Sequence, residues 1–208
     1  MSDLVFYTMP ISRGQIARWM LEEVGEPYET VLLDGESMKS PDYLAINPMG
    51  KVPAIRHRGV IVTEAAAICA YLADAFPGAG LAPPPQDPRR GTYYRWLFFA
   101  AGPVENAIIA KALGLLAPPE RKGMAGYGSF EDMTDTLEAA VSGPAFLCGD
   151  QFTAADVYVG SQIWWGVRLF NTLPDRPAFS AYIDRLEQRP AWQRARAIDQ
   201  EASQKQEA

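Results

Sequence analysis

The sequence predicts an α/β unit followed by an all-helical unit. Three observations carry this expectation: strand and helix patterns alternate as far as Phe76, a run rich in proline and glycine spans Pro77 to Pro88, and no strand pattern follows it. The expected boundaries are 1–80 for the first domain, 81–88 for a stiff linker and 89–208 for a helical bundle.

Leu4 to Tyr7 is a short apolar run that reads as a buried strand. Ser12-Arg13-Gly14 then opens a helix in which Ile16, Ala17, Met20, Leu21 and Val24 share one apolar face. Gly25 suits the position just past its end, and Pro27 prevents continuation. Tyr28 to Leu33 reads as a second strand, and Asp34 to Gly50 as a long polar connection punctuated by Pro41, Pro48 and Gly50. Val52–Arg56 and Val60–Val62 read as strands joined at Arg58-Gly59, a link short enough for an antiparallel hairpin. A helix is expected over Glu64–Phe76, with Thr63 as its N-cap and Ile68, Cys69 and Leu72 buried.

Beyond the linker, helical patterns cover Arg89–Leu116, Phe130–Val141, Ala154–Phe170 and Ala178–Gln188. A short helix is expected to begin near Pro190, with a frayed end over Gln200–Ala208. Gly102-Pro103 should kink or divide the first of these helices, because proline lacks an amide donor and clashes with the preceding turn. Thr153 and Asp156 have the spacing of a capping box, flanked by Phe152 and Val157 as a hydrophobic staple.

Composition excludes several functions. A net charge of -6 and a pI near 4.9 argue against a nucleic-acid binder, which needs clustered Lys and Arg. Two cysteines, Cys69 and Cys148, are too few for a disulfide framework and have no metal-ligand neighbours in sequence; both read as inert. The single histidine, His57, reads as a surface residue near the hairpin turn, and a lone histidine argues against a His-based metal site or a Ser-His-Asp triad. The opening MSDLVFYTM lacks the basic start and long apolar core of a secretory leader, and no run reaches the ~18 apolar residues of a membrane span. The expectation is a cytoplasmic protein with no metal, no membrane and no nucleic-acid partner.

Three segments of the first domain can bear chemistry. In Tyr7-Thr8-Met9-Pro10-Ile11-Ser12-Arg13-Gly14, a strand end runs through a loop into a helix start, whose free amides favour an anion. Ser12 there can be an N-cap, or its hydroxyl can donate to a thiolate and lower the pKa of a bound thiol. In Asn47-Pro48-Met49-Gly50-Lys51-Val52-Pro53, a proline opening a core strand is either an edge feature or a cis bond that presents the Val52 backbone to an extended peptide. In Thr63-Glu64-Ala65, first-turn amides can take a carboxylate while Glu64 pairs with an ammonium, or Glu64 simply favours the helix dipole.

Taken together, these segments resemble the soluble glutathione S-transferase family over essentially the whole chain. The resemblance implies a thioredoxin-like N-terminal domain and an all-α C-terminal domain. Asn47 to Pro53 is similar to the family's cis-proline loop, and Glu64-Ala65 stands where an acidic residue and a serine grip the γ-glutamyl group. Ala65 departs from that pattern and leaves only backbone amides. Thr153–Val157 resembles the buried capping box of the family's sixth helix, a structural role. The resemblance implies glutathione as co-substrate, bound along Val52 and Pro53, with Lys51 and Lys39 near its glycine carboxylate.

Tyr-x-x-Pro-x-Ser places Ser12 where some members keep a thiolate-activating serine, with Arg13 a rival and Tyr7 ranked third. Depressing a thiol pKa by ~2 units requires ~2.7 kcal/mol, within reach of one or two charge-assisted bonds. Met9, Ile11, Glu105 and Ile108 are candidates for the wall that holds a small-molecule electrophile. The aromatic residues Trp96, Phe98, Phe99, Trp164 and Trp165 are read as core or interface. A homodimer is implied by the resemblance alone. The alternatives are a non-catalytic scaffold on this fold, or another glutathione-dependent activity: isomerase, dehalogenase or peroxidase. No cysteine lies in the first loop, which weighs against thiol–disulfide chemistry.

Overall fold

The computed structural model describes residues 3–207. One compact unit runs to Leu81 and takes up the chain again from Gln188; the other is Ala82–Glu187. The closing helix therefore groups with the first unit, not with the other helices expected over 89–208.

The first unit is a four-stranded mixed sheet with helices. Its strands are β1 (Leu4–Thr8), β2 (Glu29–Leu32), β3 (Ala54–His57) and β4 (Val60–Thr63), in the order β2-β1-β3-β4. β1 runs parallel to β2 and antiparallel to β3, which pairs antiparallel with β4. All five β1 residues are buried, as expected for a central strand covered on both faces. Side chains alternate between the faces. Val5 and Tyr7 join Leu33, Tyr43 and Ala54 in one apolar cluster, while the Phe6 ring lies under the Arg18 guanidinium at 4.8 Å. Arg58 (φ 51°) and Gly59 (φ 81°) make the β3–β4 turn, where left-handed backbone matches strand twist.

Helix α1 (Gly14–Val24) buries Ile16, Ala17, Met20 and Leu21, each large side chain contributing ~1.5–3 kcal/mol. Gly25 closes it in the left-handed conformation, its N–H donating to the Leu21 carbonyl at 3.0 Å. A short helix α2 (Pro41–Leu44) is capped by Ser40, which accepts from the Tyr43 N–H. Helix α3 (Ala65–Ala75) buries Ile68, Cys69 and Leu72 as expected.

Three expectations are corrected in this unit. Thr63 ends β4 and is not the cap of α3; Glu64 holds the cap position at φ 65°, with no side-chain capping bond. His57 is buried at 4% exposure, not on the surface, because it alternates with exposed Arg56 and faces inward. It stacks on Phe76 at 5.1 Å and its Nδ1 lies 3.0 Å from the Tyr71 hydroxyl. Third, the helix from Pro190 is neither short nor frayed from Gln200: α9 spans Pro190–Glu207. It persists because α1 binds it through charge. Arg189 forks onto Glu23 at 2.6 and 2.7 Å, Arg194 meets Glu22 at 3.0 Å, and buried Asp199 pairs with buried Arg18 at 3.2 Å. Along a polar helix whose buried positions among the described residues are Ala191, Ala195 and Asp199 there is little apolar periodicity, so its length was not legible.

The helical unit comprises α4 (Arg89–Phe99), α5 (Glu105–Ala112), α6 (Phe130–Val141), α7 (Ala154–Trp164) and α8 (Pro177–Glu187). The Gly102-Pro103 expectation holds: a wide π-type turn over Ala100–Val104 divides α4 from α5, absorbing the missing amide of Pro103. The helix ends at Ala112, short of the expected Leu116. A second wide turn, Trp165–Leu169, ends α7, which is buried along nearly its whole length. The capping box is present, with Phe152 and Val157 both buried. Its Asp156 accepts from the Leu147 N–H (2.8 Å), the Thr153 N–H (2.8 Å), the Thr153 hydroxyl (2.9 Å) and the Tyr182 hydroxyl (2.7 Å). Of the aromatic residues read as core or interface, Trp96 is buried, Phe99, Trp164 and Trp165 are half-buried, and Phe98 is 72% exposed.

Candidate functional site

Sheet register brings the three chemical segments to one end of the sheet. Tyr7 pairs with Ala54, and Ala54 pairs with Thr63. The loop after β1, the Val52-Pro53 peptide before β3 and Glu64 after β4 therefore leave neighbouring strands at the same edge. Thr8 pairs with Leu32 in the parallel pair, so the long connection that carries Lys39 also starts from this end.

The loop between β1 and α1 is tightly bonded. Ser12 Oγ donates to the Met9 carbonyl at 2.6 Å and accepts from the Gly14 N–H at 2.9 Å. The cap position of α1 itself is held by exposed Arg13, whose side chain makes no capping bond. Gly14 is required by close approach: a Cβ there would lie 1.9 Å from the hydroxyl of fully buried Thr8. Met9 is half-buried and Ile11 is 70% exposed. Tyr7 is a core residue whose ring meets Tyr43 at 5.8 Å.

The Val52-Pro53 bond is cis. Val52 packs its side chain against the Val5–Tyr43 cluster, and no described residue hydrogen-bonds its N–H or carbonyl. The loop before it is shaped by side chains that sequence reasoning did not single out. Tyr43 Oη and Asn47 Nδ2 both donate to the Lys51 carbonyl at 2.7 Å, and Asn47 Oδ1 accepts from the Met49 N–H at 3.1 Å. Burial pushes the Tyr43 phenol up to about 12, so it remains a donor at neutral pH. Asn47 had a legible signal, since an asparagine before proline commonly bonds the backbone of its own turn; Tyr43, on a separate helix, had none. Lys39 Nζ donates to the Gly50 carbonyl at 3.0 Å, which brings it to this loop, and Lys51 is exposed beside it.

Glu64 is exposed, and Ala65 begins α3 with its methyl buried. The first-turn amides of Ala65, Ala66 and Ala67 have no acceptor among the described residues, and together with Glu64 they offer donors and an acceptor side by side. Lys39, Lys51, Val52, Pro53, Glu64, Ala65, Ser12 and Arg13 thus belong to one unit and one end of its sheet. Glu105 and Ile108 stand half-buried on α5 of the helical unit, where Glu105 accepts from Gln162 Nε2 at 2.8 Å. The cysteines are buried, and burial pushes the Cys148 thiol up to about 11 and Cys69 higher still, so neither is a thiolate at neutral pH. Among the described residues no three His, Cys, Asp or Glu side chains cluster, and no helix is long and apolar enough to cross a membrane.

Comparison with known proteins agrees with this fold. Residues 12–75 match the glutathione S-transferase N-terminal domain and residues 124–185 its C-terminal domain. Glutathione S-transferase GstB of Escherichia coli strain K12 is 30% identical over 82% of this chain and 86% of its own. A glutathione transferase crystal structure from Methylococcus capsulatus superposes with a TM-score of 0.78 at 28% identity, covering 94% of this chain and 98% of that one. A theta class glutathione S-transferase from Xanthomonas axonopodis with glutathione bound gives 0.75 at 26% identity, over 94% and 97% of the two chains. With both domain matches, the sheet order and the bacterial relatives in agreement, this chain belongs to the glutathione S-transferase family of enzymes, a thioredoxin-like domain joined to a helical one.

Proposed function

We propose that the protein conjugates the thiolate of glutathione to a small electrophile. The observation that carries the reading is the convergence at one sheet end of an unbonded Val52 backbone and the Glu64–α3 terminus. An extended tripeptide with an amino-acid head fits those groups. Its backbone would pair with Val52 as an added strand, its α-carboxylate would meet the amides of α3, and its ammonium would meet Glu64. Lys39 and Lys51 would balance the glycine carboxylate. The neighbour from Xanthomonas that holds glutathione supports the choice of ligand.

The thiol would then lie near the loop after β1. Arg13 and the terminus of α1 favour its ionised form. Ser12 can contribute a hydrogen bond only by turning its proton from the Met9 carbonyl, so Arg13 gains weight as its rival. Tyr7, packed in the core, is the weakest of the three candidates. The thiolate pair forms a sulfur–carbon bond while the leaving group departs with the bonding pair. Met9 and Ile11 on this loop remain proposed contacts of the electrophile, and Glu105 and Ile108 on α5 are proposed for the same role on the family resemblance alone. The reading also sets the reaction in the cytoplasm, where glutathione is kept reduced. A homodimer is part of it, consistent with exposed Val60 and Ile61 on β4 and exposed Tyr94 and Phe98 on α4.

The test is a conjugation assay with an activated aryl halide, comparing wild type with Ser12→Ala, Arg13→Ala and Tyr7→Phe. Loss of about tenfold or more in kcat/KM for Ser12→Ala or Arg13→Ala, with Tyr7→Phe near wild type, supports the assignment. Wild-type protein that binds glutathione but conjugates none of a panel of electrophiles would sink the transferase reading and favour a scaffold.

A further inference from the structure

Two carbonyls of the loop that carries Ser12 and Arg13 are tied down, and one tie leads out to the closing helix. Ser12 holds the Met9 carbonyl from within the loop. Gln15 Nε2 donates to the Pro10 carbonyl at 2.8 Å, and Gln15 Oε1 accepts from Arg196 Nη1 at 3.0 Å. The amide satisfies both partners in one orientation only. Turned over, it would set oxygen against the Pro10 carbonyl and its NH2 against the guanidinium. Arg196 therefore dictates which end of Gln15 faces the loop.

Arg196 is held in turn by α9. It lies over the Trp192 ring at 5.8 Å, within the same short stretch as Asp199, which is locked to Arg18 in the core. Gln15, Arg196, Asp199, Gln200 and Ser203 line a polar cavity of about 310 Å³. Water can enter a space of that size and polarity, so the bond to the Pro10 carbonyl competes with solvent and depends on the amide being fixed.

We propose that Gln15 and Arg196 are positioning residues through which α9 holds the loop in the geometry that stabilises a bound thiolate. The thiolate half of this inference rests on the glutathione reading above; the mechanical half does not. The relay joins Gln15 to Arg196, 181 residues apart in the chain, and carries the α9 contact on to the Pro10 carbonyl.

The test uses Gln15→Glu, Arg196→Ala and, as control, Arg194→Ala. Gln15→Glu keeps the partner for Arg196 but sets a carboxylate against the Pro10 carbonyl. Arg194→Ala breaks a different α1–α9 ion pair, to Glu22, without reaching the loop. The first readout is amide hydrogen exchange at Met9, Ile11, Ser12, Arg13 and Gly14 in the free protein. Exchange should quicken by about tenfold in Gln15→Glu and Arg196→Ala and stay unchanged in Arg194→Ala. The second is the pH dependence of thiolate absorbance in the glutathione complex, whose midpoint should rise by about one pH unit in the same two variants only.

Unchanged loop exchange in both variants, or an equal effect of Arg194→Ala, overturns the relay and leaves α9 a general stabiliser. Quickened exchange with an unmoved thiol midpoint overturns its catalytic role. If the wild type binds no glutathione, the proposed function falls on that result, and the exchange data alone decide the relay.

Discussion

Glu64 holds its backbone at φ 65° and ψ 117°, a conformation that side chains with a Cβ rarely adopt and glycine takes readily. Backbone of this kind costs of order 1–3 kcal/mol and persists where surroundings impose it. Here β4 and α3 meet at this single residue, which must turn the chain so that the first-turn amides of α3 face the sheet end. Glu64 is exposed and makes no capping bond, so Glu64→Ala keeps the strain and should change stability by no more than about 0.5 kcal/mol. Glu64→Gly relieves the strain but frees the unfolded chain, an offset of about 0.4–1 kcal/mol. The glycine variant should therefore exceed the alanine variant by roughly 1 kcal/mol while both lose the carboxylate proposed to meet the ligand's ammonium. Urea denaturation of the three proteins, followed by far-UV circular dichroism, measures the difference. Equal midpoints for the glycine and alanine variants would refute the claim that this residue stores strain.

Other substitutions probe what holds each unit together. Asp156→Ala removes the acceptor of four buried donors, which at about 1–3 kcal/mol per unsatisfied group, less the relief of an ion's burial, should cost about 4 kcal/mol in thermal or urea unfolding. Asp156→Asn should cost less, because one oxygen still serves the Leu147 N–H and the Tyr182 hydroxyl; equal losses would contradict this. Arg18→Met strands Asp199, whose carboxyl burial already pushes up against the pull of Arg18, and should cost about 3–5 kcal/mol; adding Asp199→Leu should recover part of it in a double-mutant cycle. The single histidine, His57, has its pKa lowered by burial and by neighbouring Arg58. Its neutral form is favoured in the fold, so its contribution is present above its ordinary value of 6.5 and is lost as pH falls through the lower folded value. Titration of its ring resonance by NMR should give a midpoint below 6.5, and a midpoint at or above it would refute the burial argument.

Local pattern made much of this molecule legible. The apolar face of α1 and the spacing of Thr153 and Asp156 are signals confined to a few residues, and each reappears as an element with its side chains where periodicity sets them. Pro103 marked the break in the first long helix for the same reason, a missing donor that any helix must accommodate. The motifs around Ser12, Val52-Pro53 and Glu64 were visible one at a time, but their convergence depends on register between strands far apart in sequence. Long-range electrostatics stayed hidden. Nothing local in a polar stretch such as Arg194–Gln200 says that α1 will supply Glu22, Gln15 and Arg18 as partners, so α9 read as a short helix with a frayed end from Gln200. His57 was misread because a hairpin turn next door suggests exposure, while strand alternation, which decides the matter, depends on where the strand begins.

The central claim is that this sheet end binds glutathione. Calorimetric titration of the protein with glutathione, repeated with Glu64→Ala, tests it most directly. Saturable binding, weakened by about tenfold or more in the variant as expected for loss of a charge-assisted contact, is the predicted result. No heat of binding at millimolar glutathione, or equal affinity for the two proteins, would contradict the account.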